Sequence, residues 1–107
     1  MPFASQYTPE SVSRDEIDQS QGPLLIEFGT NWCGHCQAAQ PRIKAALEHH
    51  AEVRHLKIED GKGRRLGRTF GVKLWPTLIF MKDGEEVERL VRPGSSREID
   101  EALGRIG

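Results

Sequence analysis

The chain has 107 residues, of which 36% are apolar and 29% charged, and its net charge is −1. This length suits one domain, residues 1–107, with a single core. The composition is that of a globular protein, which excludes disordered and fibrous classes. The nearly balanced charge gives no long-range attraction to nucleic acid or to an anionic membrane, so we expect neither as a partner.

The hydropathy pattern indicates in which cellular compartment the protein is found. No apolar run is long enough to cross a bilayer, and the first twelve residues lack the basic start and apolar stretch of a signal peptide. We therefore expect a cytoplasmic protein, although a mature secreted chain that had been given a new Met1 would look the same.

Apolar patterns and turn signals predict alternating helices and strands. In chain order we expect a helix over 14–20, a strand over 24–28, a helix from 33 to about 50, a strand over 53–58, a short helix over 64–70, strands over 77–81 and 87–91, and a closing helix after Ser95. A strand, helix and strand with short joins predict a parallel crossover, and Asp83-Gly84 predicts a tight hairpin. The expected class is α/β, a mixed sheet built from βαβ and then ββα, with helices on both faces.

The chain has two cysteines, Cys33 and Cys36, at the start of the long predicted helix. This spacing places the first sulfur beside the exposed amide groups of the first turn and the second sulfur about one turn further in. The positive end of the helix favours the thiolate, which is the form that attacks disulfides. We predict that Cys33 is the nucleophile and that Cys36 resolves the mixed disulfide, while Gly34 keeps the approach open and His35 adds a charge or hydrogen bond that favours the thiolate.

An inert pair of cysteines or half of a metal site is the alternative for Cys33 and Cys36. Structural zinc takes four Cys or His ligands, and the chain has no second C-x-x-C and no H-x-x-x-H to supply the others. We therefore favour redox chemistry and expect neither a metal nor an organic cofactor.

Five motifs occur in a fixed order along the chain. They are Leu25-Ile26-Glu27-Phe28, Trp32-Cys33-Gly34-His35-Cys36, Pro41, Trp75-Pro76-Thr77 and Asp83-Gly84. Their order and spacing resemble those of the thioredoxin family over nearly the whole chain. The resemblance implies a thioredoxin fold and a thiol-disulfide oxidoreductase that acts on protein disulfides.

The resemblance also implies a substrate-binding surface around the two cysteines. Pro76 resembles the family's cis-proline, which lies against the active-site sulfurs and offers backbone groups to an incoming peptide. Trp32 resembles the indole that covers the dithiol, and Pro41 the proline that bends the active-site helix. Trp75, directly before Pro76, is expected to form a wall that faces substrate, although it could also belong to the core.

Glu27 stands where the family keeps a buried acid that takes the proton of the second cysteine through water. Its apolar neighbours predict burial and a raised pKa, which suits a proton acceptor near neutrality. Alternatively, its carboxylate reaches solvent or pairs with Lys57. His55 falls beside this acid in the family pattern, but strand alternation also allows it to be a surface residue.

Three positions depart from the family pattern. Gly34-His35 replaces the Gly-Pro of the usual reductant and is the pair found in protein disulfide isomerases, which are less reducing. Gly29 replaces an aromatic residue, and Arg92-Pro93-Gly94 replaces a shorter glycine turn. We expect the protein to reduce or exchange protein disulfides and to receive its electrons from a thioredoxin reductase or another dithiol donor. The alternatives are a disulfide isomerase or oxidase, and a scaffold that binds partners in the groove around Pro76.

Overall fold

The helices and strands appear in the predicted order. The structure, a computed structural model, describes residues 4–9 and 12–107. The elements are α1 (Arg14–Asp18), β1 (Pro23–Gly29), α2 (Gly34–Leu47), β2 (Arg54–Glu59), α3 (Leu66–Thr69), β3 (Thr77–Lys82), β4 (Glu85–Val91) and α4 (Ser96–Ile106).

The four strands form one mixed sheet in the order β2-β1-β3-β4. β1 runs parallel to β2, and β3 runs antiparallel to both β1 and β4. Asp83 and Gly84 join β3 to β4 with φ angles of 49° and 82°, because the tight turn that matches the twist of a hairpin needs positive φ at both central residues. The predicted parallel crossover and hairpin are both confirmed.

Helices cover both faces of the sheet, as predicted. On one face, α2 and α4 pack on the sheet through a buried apolar cluster. It consists of Leu25, Ala39, Ile43, Ala46, Leu47, Val53, Leu78, Phe80, Ile99, Ala102, Leu103 and Ile106. On the other face, α1 and α3 pack through a second cluster. It consists of Ile17, Leu24, Ile26, Phe28, Ile58, Leu66, Phe70, Ile79 and Met81.

Most boundaries differ from the predictions by one to three residues. Both helices that follow Ser13 and Ser95 begin as predicted, because each serine side chain accepts a hydrogen bond from a backbone N–H of the first turn. α2 continues through Pro41 and ends at Leu47 instead of about residue 50. No helix formed by residues 4–9 and 12–107 is both long enough and apolar enough to span a membrane.

A segment before α1 adds to the edge of the sheet, which the sequence did not predict. Thr8 forms an isolated parallel bridge with Ile58 of β2. The Thr8 N–H donates to the Lys57 carbonyl at 3.1 Å, and the Glu59 N–H donates to the Thr8 carbonyl at 2.7 Å. This pairing anchors the neighbouring Tyr7, whose side chain is buried.

Candidate active site

Cys33 lies at the start of α2, where the sequence predicted it. It is the N-cap residue, and its sulfur accepts a hydrogen bond from the Cys36 N–H at 3.3 Å. Both cysteines are free thiols, and Cys33 is partly exposed whereas Cys36 is buried. A partly exposed sulfur that accepts from the first turn of a helix is placed to meet another molecule.

Cys36 lies one turn further along and faces inward, with no exposed surface. Burial and a hydrogen bond with Cys33 raise the pKa of the Cys36 thiol to about 12, although the nearby Thr30 backbone and Tyr7 hydroxyl act in the opposite direction. Cys36 therefore keeps its proton at neutral pH, and it can attack a disulfide only when a neighbouring group takes that proton.

Trp32 and Trp75 form an aromatic rim beside the dithiol. Trp32 is 74% exposed, and its ring meets the Trp75 ring edge-on with the centroids 5.8 Å apart. The Trp75 indole N–H donates to Asp60 Oδ2 at 2.8 Å. Because Cys33 follows Trp32 and Pro76 follows Trp75, this contact brings the two predicted site segments together.

The Trp75–Pro76 peptide bond is cis, as the family resemblance implied. Arg92 fixes the backbone at this point, since its guanidinium donates to the Trp75 carbonyl at 2.7 Å and its N–H donates to the Pro76 carbonyl at 3.0 Å. Arg92 belongs to the segment that departs from the family pattern, so the bond from its guanidinium to Trp75 comes with that departure.

Gly34 and His35 occupy the first turn of α2, and both are exposed. A side chain at Gly34 would meet no atom within 4 Å, so the approach to Cys33 is open on this side. Within the described part of the chain, the His35 ring has no hydrogen bond or ion pair. The predicted contribution of His35 to the thiolate therefore stays a prediction.

Glu27 is completely buried in β1, which excludes the alternative in which its carboxylate reaches solvent. It accepts hydrogen bonds from Gln40 Nε2 at 2.9 Å and from the Tyr7 hydroxyl, and it pairs with His55. The expectation of a raised pKa for Glu27 is wrong. Burial raises its pKa, but the hydrogen bonds with His55, Tyr7 and Gln40 outweigh burial and lower the pKa.

His55 is the partner of Glu27 and not a surface residue. Its side chain is fully buried, with Nε2 at 2.9 Å from Glu27 Oε1. The Ala4 N–H donates to His55 Nδ1 at 2.8 Å. Because Nδ1 accepts, Nε2 carries the hydrogen and donates to the carboxylate, which fixes the tautomer.

Gln40, which the sequence did not single out, links several groups of the site. Besides bonding Glu27, its Nε2 donates to the Cys36 carbonyl at 2.7 Å. Its Oε1 accepts from Lys57 Nζ at 2.5 Å. Lys57 is therefore linked to Glu27 through the side chain of Gln40. Burial lowers the pKa of Lys57, against the opposing charge of Glu27.

Tyr7 is the other residue that the sequence missed, and it is the only tyrosine of the chain. Its side chain is 4% exposed, and its hydroxyl reaches Glu27 from outside the strands. Gly29 makes room for it, because a Cβ at Gly29 would lie 2.7 Å from Tyr7 Oη and 2.5 Å from Cys36 Sγ. Gly29 replaces the aromatic residue of the family pattern, and this replacement is one signal that the ring of another residue fills the space.

A polar cavity of about 220 Å³ reaches the buried sulfur. It is lined by Ser5, Gln6, Tyr7, Thr30, Asn31, Cys36, Gln37, Gln40 and Lys57. Among the described residues, no group of three or more His, Cys, Asp or Glu side chains could hold a metal ion. The arrangement combines one partly exposed thiol with a buried thiol and buried acid–base groups.

Comparisons with known proteins relate the chain to one family. The family model named Thioredoxin matches residues 6–105. Over 82 residues, the chain is 39% identical to a thioredoxin of Chlamydia muridarum, a match that covers 75% of this chain and 80% of that protein. A thioredoxin of Listeria monocytogenes is 31% identical over 91 residues, covering 84% of this chain and 88% of that protein.

The fold has a similar solved counterpart. The reduced form of thioredoxin 2 from Pseudomonas aeruginosa PAO1 superposes with a TM-score of 0.84 and is 53% identical, covering 96% of this chain and 99% of that one. The fold is therefore the thioredoxin fold, as predicted. With the matched family model and two cysteines in a C-x-x-C arrangement, the chain belongs to the thioredoxin family and is a thiol-disulfide oxidoreductase.

Proposed function

We propose that the protein reduces disulfides of other proteins, with Cys33 as the nucleophile and Cys36 as the resolving thiol. The observation that carries this assignment is the contrast between the two sulfurs. Cys33 is partly exposed at the N-cap of α2, whereas Cys36 is buried. A substrate disulfide can reach the first sulfur but not the second.

The reaction proceeds in two exchanges. The Cys33 thiolate attacks one sulfur of the substrate disulfide, a mixed disulfide forms, and the other substrate sulfur leaves as a thiolate that takes a proton from solvent. Cys36 then gives up its proton, attacks Cys33 Sγ and releases the second substrate thiol. Two electrons pass from the dithiol to the substrate, and the protein ends with a Cys33–Cys36 disulfide.

Glu27 is proposed as the acceptor of the Cys36 proton. Its lowered pKa keeps it ionised at neutral pH, so it is able to accept a proton. A carboxylate with a lowered pKa is a weaker base than one with a raised pKa. Transfer of the Cys36 proton to Glu27 therefore depends on the groups that lie between them.

The rim formed by Trp32, Trp75 and Pro76 is the proposed binding surface for the substrate polypeptide. Trp32 supplies exposed aromatic area, and Gly34 leaves the approach to Cys33 open. Such surfaces favour protein partners, since exposed tryptophan residues commonly anchor them. The chain acts as one domain in the cytoplasm in this proposal, and a thioredoxin reductase or another dithiol donor returns it to the dithiol form.

Isomerase or oxidase activity is the second candidate, favoured by Gly34-His35 between the cysteines. Equilibrium with glutathione distinguishes the two directions. A reduction potential near ~−270 mV supports reduction, and one near ~−180 mV supports isomerisation. The third candidate is a scaffold that binds partners in the groove around Pro76. In that case the Cys33→Ser variant should keep the biological activity.

A trapping experiment tests the assignment of the two thiols. Because Cys36→Ser removes the resolving thiol, we expect this variant to accumulate mixed disulfides with substrate proteins through Cys33. Cys33→Ser is the matched control and should accumulate none. Equal trapping by both variants, or none by Cys36→Ser, would refute the assignment.

A further inference from the structure

We propose that Tyr7 is a proton-relay residue that connects the thiol of Cys36 to the carboxylate of Glu27. This inference deepens the proposed exchange reaction and rests on it. It assigns a task in catalysis to a residue outside the C-x-x-C motif and outside the four strands of the sheet.

The first observation is the contact at the carboxylate end. The Tyr7 hydroxyl donates to Glu27 Oε2, while the other oxygen of Glu27 faces His55. Burial and the charge of Glu27 raise the pKa of Tyr7. The phenol therefore holds its proton at rest and can pass it on only while it receives another.

The second observation is the position of the phenol oxygen relative to the sulfur. Tyr7 Oη and Cys36 Sγ both lie close to one point, 2.7 Å and 2.5 Å from the position that a Cβ on Gly29 would take. The Tyr7 hydroxyl and the Cys36 thiol also interact, since each contributes to the pKa shift of the other. The absence of a side chain at Gly29 thus leaves a space that both groups border.

The third observation is that the backbone of Tyr7 is held on both sides. The Tyr7 N–H donates to Asn31 Oδ1 at 2.9 Å, and Asn31 Nδ2 donates back to the Tyr7 carbonyl at 3.1 Å. The neighbouring Thr8 pairs with the edge of β2. These contacts fix the ring relative to the loop that precedes Cys33.

The charged surroundings suit a relay that stays neutral. Lys57 Nζ lies 4.6 Å from the centre of the Tyr7 ring and also bonds Gln40, which in turn bonds Glu27. The groups that face the phenol are therefore the carboxylate of Glu27, the ammonium of Lys57 and the thiol of Cys36.

The relay fits the resolving step with all protons accounted for. As Cys36 Sγ attacks Cys33 Sγ, the S–H proton moves to Tyr7 Oη and the phenol proton moves to Glu27 Oε2. The new Cys33–Cys36 bond forms, the bond from Cys33 to the substrate sulfur breaks, and the substrate thiolate takes a proton from solvent. Glu27 later releases its proton through the same phenol to the polar cavity.

The test is Tyr7→Phe, which removes only the hydroxyl and keeps the ring. In single-turnover reactions with a peptide disulfide, followed by acid quench and mass spectrometry, we expect the mixed disulfide to form within about twofold of the wild-type rate. Its resolution should slow at least about tenfold, because general acid–base transfer commonly supplies that much or more. Resolution within about twofold of wild type, in folded protein, would overturn the proposal.

Two controls separate the relay from a structural role. Ser20→Ala likewise removes one hydrogen-bonded hydroxyl, which donates to the Ile17 carbonyl, but Ser20 lies just after α1 and its loss should leave resolution unchanged. In the double variant Tyr7→Phe with Glu27→Gln, resolution should be no slower than with Glu27→Gln alone, since both changes break one path. If the double variant slowed resolution by the product of the two single-variant effects, the relay would be contradicted.

The single tyrosine allows a direct spectroscopic check. Biosynthetic replacement of tyrosine by 3-fluorotyrosine labels position 7 alone, and the ¹⁹F resonance should move when the dithiol is oxidised, because the phenol loses its thiol neighbour. An unmoved resonance would contradict the contact. If the wild-type protein formed no mixed disulfide at all, the proposed function itself would fail, whereas normal wild-type turnover with an unimpaired Tyr7→Phe variant would remove only the relay.

Discussion

The two halves of the active site, an exposed rim and a buried chamber, place the two cysteines in opposite environments. The rim consists of Trp32, Cys33, Gly34, His35, Trp75 and Pro76. The chamber consists of Tyr7, Glu27, Cys36, Gln40, His55 and Lys57. The rim has few hydrogen bonds between side chains, whereas nearly every polar atom of the chamber has a partner.

The difference shows how one short motif supports two kinds of chemistry. A helix that begins between the two cysteines exposes the first and turns the second inward, so that each thiol meets different neighbours. The first is available to substrates of many shapes, and the second depends on fixed groups. We therefore expect changes at the rim to alter substrate use and changes in the chamber to alter stability and proton transfer.

Alkylation should show the largest contrast. With iodoacetamide at pH 8, we expect Cys33 to react at least about a hundredfold faster than Cys36, because only the thiolate reacts and the pKa of Cys36 is about 12. Peptide mass mapping at several times measures both rates. Labelling of Cys36 should increase as the pH rises toward 12. Equal alkylation rates of Cys33 and Cys36 at pH 8 would show that the two cysteines do not lie in different environments.

Two glycine substitutions compare the packing of the two halves. Gly29→Ala brings a Cβ to within 2.5 Å of Cys36 Sγ and 2.7 Å of Tyr7 Oη, whereas Gly34→Ala meets nothing within 4 Å. We expect Gly29→Ala to lower the free energy of unfolding by about 1–3 kcal/mol through overpacking. Gly34→Ala should leave it unchanged or raise it by up to about 1 kcal/mol. Urea denaturation measures both, and similar losses would show that the chamber is not the tighter half.

Trp32→Ala should have the smallest effect on stability. Its ring is 74% exposed, and its edge-on contact with Trp75 contributes about 1 kcal/mol or less. We expect kcat/KM for a protein disulfide to fall about tenfold, because an exposed tryptophan is a typical binding anchor, while the reduction of a small disulfide such as oxidised glutathione changes little. An equal loss for both substrates would indicate a role in the chemistry instead of in binding.

The fold was predictable because local signals agreed with one another. Apolar runs located the strands, the S-x-x-E patterns located two helix starts, and Asp83-Gly84 located the hairpin. The boundaries differ because helix ends depend on which backbone groups find partners, and a pattern of apolar residues does not determine that. The segment around Thr8 could not be predicted as a strand, because only an isolated bridge connects it to the sheet and its sequence lacks the alternation of apolar and polar residues.

The rim was also predictable from the sequence, but the chamber was predictable only in part. Cys33, Cys36 and Pro76 are identified by short motifs. The burial of Glu27 followed from its apolar neighbours, but the direction of its pKa shift depends on Tyr7, Gln40 and His55, which lie 20, 13 and 28 residues away. His55 was undecided because β2 is covered on both faces along much of its length, so alternation does not distinguish its sides.

The bridge at Thr8 gives the edge of the sheet a part in the redox chemistry. Edge segments open more readily than inner strands, and such local openings leave the rest of a protein folded. When residues 4–9 move away from β2, the phenol of Tyr7 leaves with them and Glu27 loses one of its hydrogen bonds. The hydrogen bond from Tyr7 to Glu27 therefore lasts only while the bridge at Thr8 is closed, and an extension fused at the N-terminus would disturb it more than one fused after Gly107.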